Sequence, residues 1–117
     1  MHAPAFTIEK WVRVMAGHCC DGVWHRDGSD GCASALPIRP ALRERLIAWA
    51  DRYNACGDHL PPERQAAFDL KEFSADGLKI ARAIRAELPG WTIVYFDAAK
   101  CDYGNREQPR HEFEYEV

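Results

Sequence analysis

The stretch "GHCCDGVWHRDGSDGC" (residues 17–32) gathers three cysteines, two histidines and three aspartates into one glycine-rich run. Thiolates and imidazoles of this kind bind zinc when they converge as a tetrahedron, usually from C-x₂₋₄-C or H-x₃₋₅-H pairs. Here Cys19 and Cys20 are adjacent, so in an extended chain their side chains diverge, and His25 and Cys32 would have to close the set from a loop. The spacing is wrong for a zinc knuckle. Thiol redox chemistry fits no better, because the sequence has no C-x-x-C and no cysteine at a helix start that would lower its pKa. Cys19, Cys20, Cys32 or Cys101 could be paired on paper with His18, His25, His59 or His111, but a chain with five of each residue offers such pairs by chance. The three serines, Ser29, Ser34 and Ser74, lie in no G-x-S-x-G elbow, and "DGSDG" lacks the Lys-Ser/Thr of a phosphate loop. The expectation is a chain with no catalytic residues, no metal and no cofactor, hence not an enzyme. A small metal- or thiol-dependent module on loop 18–32 is the alternative.

Charge points towards binding instead. The 117 residues are 47% hydrophobic and 28% charged, the profile of a globular protein read as one domain over 1–117. The net charge of −3 is carried by residues 97–117, where Asp97, Asp102, Glu107, Glu112, Glu114 and Glu116 outnumber Lys100, Arg106 and Arg110. A nucleic-acid binder would show a basic patch without such an acidic end, so direct nucleic-acid binding is not expected. No apolar run reaches the roughly 20 residues that span a bilayer, and the first residues lack the pattern of an export signal. Scattered cysteines, odd in number, argue for reduced thiols and a cytoplasmic location.

The elements that must position these groups follow from periodicity. "KWVRVMA" (10–16) is β-branched and aromatic and reads as a strand. "PALRERLIAWADRYNAC" (40–56) reads as a helix, with Pro40 in the first turn and Leu42, Leu46, Trp49 and Tyr53 on one face; Gly57 follows as its terminator. After the linker "GDHLPPERQ", a second helix opens at Asp69 with Glu72 three residues on, resembling a capping box. Phe73, Gly77, Ile80, Ala81, Ile84 and Leu88 form its buried stripe, and "PG" (89–90) stops it. Lys79, Arg82 and Arg85, like Arg43, Glu44, Arg45 and Arg52 on the first helix, are expected on solvated faces. "WTIVYFD" (91–97) is nearly all apolar and reads as a central strand. Beyond a loop with a Gly104-Asn105 turn signal, "HEFEYEV" (111–117) alternates strictly. The predicted fold is a small two-layer α/β domain of order β-α-α-β-β, a three-stranded sheet ending in an antiparallel hairpin and packed by two helices.

The segments "LPIRPALRERLIAWADRYNA" (36–55) and "FSADGLKIARAIRAELPGWTIVYFD" (73–97) resemble small bacterial proteins encoded beside polymorphic toxins, the group that includes contact-dependent growth inhibition immunity proteins. The resemblance lies in core-helix and strand wording, and it offers no counterpart for the opening loop or the acidic tail. It implies a cytoplasmic immunity protein that binds and blocks one cognate protein toxin. Such toxins are frequently nucleases with basic clefts.

Under that reading the partner is expected at the acidic end. If Phe113, Tyr115 and Val117 face the helices, alternation sets Glu112, Glu114 and Glu116 on the opposite face, with Asp97, Asp102 and Glu107 alongside and His111 turned away from Glu112. The loop aspartates Asp21, Asp27 and Asp30 are expected to flank them, and Trp24 and Tyr103 to act as aromatic anchors. Three like charges on one strand face repel each other, so stability alone does not favour them.

Overall fold

In the computed structural model the described residues are 6–16, 21–56, 69–101 and 105–117. Their elements are a one-turn helix α1 (Phe6–Glu9), strands β1 (Trp11–Val14) and β2 (Val23–Trp24), helices α2 (Pro40–Cys56) and α3 (Leu70–Glu87), and strands β3 (Thr92–Phe96) and β4 (Glu114–Glu116). Single 3₁₀ turns occur at Ala33–Ala35 and Arg110–Glu112.

Val12, Val14, Ile93 and Tyr95 are buried while Trp11, Arg13, Val94 and Phe96 are half-buried, the two-residue period of a sheet covered on one face. β1 and β3 run parallel at the centre, with Trp11 opposite Thr92 and Val14 opposite Tyr95. The sheet order is β2-β1-β3-β4, with both edge strands antiparallel to their neighbours. The expected β3–β4 hairpin is present. The expected three-stranded sheet is corrected to four strands, because a second hairpin forms inside the glycine-rich loop. β2 is entered through Gly22, whose φ of +86 would strain an L side chain, and Val23 then pairs with Val14.

α2 and α3 cover the face on which Val12, Val14, Ile93 and Tyr95 are buried. Leu42, Leu46 and Trp49 are buried on α2, and all six stripe residues of α3 are buried. The Asp69 carboxylate accepts a hydrogen bond from the Glu72 backbone N–H at 3.0 Å, capping α3 as its sequence implies. Trp49 stacks on Phe73 at 4.6 Å between ring centroids, and its indole N–H donates to the Phe73 carbonyl at 2.9 Å. Gly77 permits this approach: a β-carbon there would stand 2.4 Å from the Tyr95 hydroxyl oxygen and 2.5 Å from the Trp49 ring.

Three expectations need correction. The last strand covers 114–116 rather than 111–117, because Pro109 starts a 3₁₀ turn in which the amides of Glu112 and Phe113 donate to the carbonyls of Pro109 and Arg110. Glu112 and His111 therefore sit in a turn, not on a strand. Arg43 is not a solvated charge: it reaches back from α2 to the carbonyls of Ala33, Leu36 and Ile38, tying down the segment before the helix. Gly57, the linker to residue 68 and Gly104 lie outside the described residues.

Candidate partner-binding site

The acidic residues singled out by the sequence fall on three separate places. Glu114, opposite Phe96 in the register, lies on the sheet face away from the helices. Its carboxylate is held by the guanidinium of Arg13 on one oxygen and that of Arg110 on the other, and only 7% of its side chain is exposed. Arg13 lies over the Trp11 ring as well, 5.1 Å from its centroid. Glu114 is thus a neutralised group inside the sheet face. Glu107, Glu112 and Glu116 are exposed. The three-glutamate ladder is not formed.

The loop acids belong to the opposite edge of the sheet, since β2 and β4 are its two outermost strands. The carboxylates of Asp27 and Asp21 have local structural tasks. Asp27 Oδ1 accepts from both the hydroxyl and the backbone N–H of Ser29, and those bonds hold its carboxyl below the usual range. Asp21 accepts from the Ala33 N–H at 2.9 Å, and Asp30, exposed, pairs with Trp24 through its backbone in an isolated β-bridge. Trp24 is half-buried, its indole N–H donated to the Met15 carbonyl at 2.9 Å. Cys32 lies against Ser34, and His25 stacks on Phe6 with its Nδ1 3.7 Å from Glu9. No cluster of three His, Cys, Asp or Glu side chains suited to a metal occurs among the described residues. His18, Cys19, Cys20, Asp102 and Tyr103 lie outside those residues.

Asp97 is the exception among the acids. At the end of β3 its side chain turns to the helix side and is 8% exposed. Oδ1 accepts from the Ser74 hydroxyl and from the Ala99 N–H at 3.1 Å, while Oδ2 faces the Tyr115 hydroxyl at 3.3 Å and the Lys100 ammonium at 3.9 Å. Behind it, the Tyr95 hydroxyl donates to the Ser74 carbonyl at 2.7 Å. Burial, with the Asp97 charge adding to it, pushes the phenol pKa of Tyr115 above its ordinary value; burial raises that of Tyr95 further. Both stay protonated donors at neutral pH. Ser74 and Asp97 form one side of a groove of about 530 Å³ between α3 and the residues after β3, lined also by Leu70, Lys71, Ala75, Leu78, Ala99 and Lys100.

Sequence reasoning missed Ser74 and the groove. Ser74 shares the buried side of α3 with Gly77 and Ala81, three and seven residues on, and a lone hydroxyl in that position calls for a polar partner. An aspartate closing an otherwise apolar strand was the available signal for that partner.

One helix layer on a four-stranded sheet, exposed carboxylates near one edge and an acid-based groove together describe a small α/β binding domain. The chain belongs to the Serratia CdiI immunity protein-like family, whose model matches residues 10–98. Its general function is therefore immunity in contact-dependent growth inhibition. The match runs from the residue before β1 to just past β3 and so includes the opening loop, for which the sequence had offered no counterpart. No curated protein matches the chain. No helix among the described residues is long and apolar enough to cross a membrane.

Proposed function

We propose that the protein acts in the cytoplasm without catalysis of its own, binding one cognate toxin domain, a nuclease, and occluding its active site. Family membership supplies the immunity role. The observation that favours occlusion of a nuclease is the set of exposed carboxylates Glu107, Glu112 and Glu116, in the part of the chain that follows the family match. A nuclease cleft is built to receive phosphates, and carboxylates mimic that charge. They steer association and fix register more than they add affinity. Asp102 and Tyr103 belong to the same segment by sequence. Asp21, Asp27, Asp30 and Trp24 would form a separate contact at the β2 edge.

The test is to mix the purified protein with the toxin domain encoded beside it and measure binding kinetics and nucleic-acid cleavage. The parent should form a stoichiometric complex and abolish cleavage. Glu112→Lys with Glu116→Lys should leave the fold intact and slow association on the order of tenfold at low salt, an effect that fades as ionic strength rises. A toxin that binds the parent but remains active in the complex would refute occlusion. Unchanged association by the double variant would move the interface away from this end.

A further inference from the structure

We infer that the groove between α3 and the end of β3 is a receptor for one basic side chain, lysine or arginine, presented by the toxin; this rests on the toxin-binding reading. The Asp97 Oδ1 accepts two hydrogen bonds, whereas Oδ2 accepts one, a long one from Tyr115. Oδ1 is fixed by Ser74 and Ala99, but the contacts to Oδ2 are 3.3 Å from Tyr115 and 3.9 Å from Lys100. A charge-assisted N–H to carboxylate bond is closer to ~2.8 Å, so Oδ2 has acceptor capacity unused.

Lys100 marks where a cation sits. Its ammonium stands near Oδ2 and 5.5 Å from the centroid of the Tyr115 ring, a carboxylate and an aromatic face meeting at one point. Yet the Lys100 side chain is 62% exposed and lies beyond hydrogen-bonding reach, a loose placeholder that a better-directed cation can displace. The rest of the groove suits the stem of such a residue. Leu70, Ala75, Leu78 and Ala99 give apolar walls for three or four methylenes, and Leu70 is 40% exposed at the helix start. Lys71 and Lys100 also line the groove, so an incoming cation reaches Asp97 by displacing Lys100. A basic side chain withdrawn from a nuclease cleft into this groove would complement the exposed glutamates, which cover charge without burying it.

Ala75→Trp tests this, because Ala75 is exposed on α3 and lines the groove, so the indole fills it without entering the core. The variant should melt like the parent yet bind the toxin at least tenfold more weakly. Lys100→Ala should tighten binding about tenfold, and by more than Lys79→Ala, which removes the same charge from an exposed position outside the groove. As a probe independent of the toxin, N-acetyl-arginine amide at millimolar concentration should shift the backbone NMR signals of Ser74 and Ala99 in the parent but not in Ala75→Trp. Toxin binding by a folded Ala75→Trp equal to the parent's overturns the inference, as does a Lys100→Ala effect no larger than that of Lys79→Ala. If the parent forms no toxin complex, the immunity reading falls separately, and the arginine titration decides whether the groove accepts a basic side chain: shifts uphold it and silence rejects it.

Discussion

Replacing Glu114 separates structural from functional acidity. Its carboxylate bridges Arg13 in β1 and Arg110 beyond β3, with the side chains of Arg13 and Glu114 only 15% and 7% exposed. A hydrogen bond to a charged partner in such a setting contributes ~1.5–3 kcal/mol. The Arg110 arm, 75% exposed, adds at most ~1 kcal/mol after solvent screening. Glu114→Gln should therefore cost about 2 kcal/mol. Glu114→Lys, which sets a third cation beside two arginines, should cost about 3–4 kcal/mol, since like charges at contact distance repel by a few kcal/mol even at an effective dielectric of ~20. With a urea slope of ~2 kcal/mol per molar, the midpoint should fall by about 1 M for the glutamine variant and nearly 2 M for the lysine variant. Glu116, exposed on the same strand, provides the matched control, and its substitutions should stay within ~0.5 kcal/mol. A cycle with Arg13→Ala should show the two single losses to be strongly non-additive. If Glu114→Lys lowers the midpoint no more than Glu116→Lys, the bridge carries no stability and the sheet-face account is wrong.

Gly77→Ala should lower stability by ~1–2 kcal/mol, because overpacking against Tyr95 and Trp49 outweighs the ~1 kcal/mol gain in helix propensity; a raised melting temperature would show that the helix–sheet contact yields freely. Stability should also fall at alkaline pH. The pKa values of Tyr95 and Tyr115 are raised in the folded state, so the unfolded chain releases these protons first, near pH ~10. Their stabilising contribution is complete below that pH and is lost as pH climbs towards the folded values, at up to ~1.4 kcal/mol per pH unit for each group. Urea midpoints between pH 9 and about 11 should drop for the parent and drop less for Tyr95→Phe. Equal slopes would deny the buried phenol its role.

Elements governed by local rules were legible in the chain. α2 and α3 combine long apolar stripes with start and stop residues, and both formed where periodicity put them. β3 was readable because a continuous apolar run bounded by Pro-Gly and a charged loop has few alternatives. What escaped depends on distant partners. β2 is two residues long, too short for any period, and exists because β1 offers it an edge. The alternation of "HEFEYEV" was genuine for Glu114, Tyr115 and Glu116 but was extended one turn too far, across the 3₁₀ geometry that Pro109 starts. The acidic residues were visible as charges. Their fates were not, because Arg13 and Ser74 reach Glu114 and Asp97 from elements remote in sequence.

The parallel seam between β1 and β3 has a kinetic consequence. Pairing residue 11 with residue 92 closes more than two-thirds of the chain into one loop, whereas the α2–α3 contact and the β3–β4 hairpin join near neighbours. Chain closure of that length must be met before its contacts return any stability, so the seam should form late and set the refolding rate. Until it closes, Val12, Val14, Ile93 and Tyr95 remain open to water and to other chains. A copy in which the seam has not closed does not yet carry the folded surface on which protection depends.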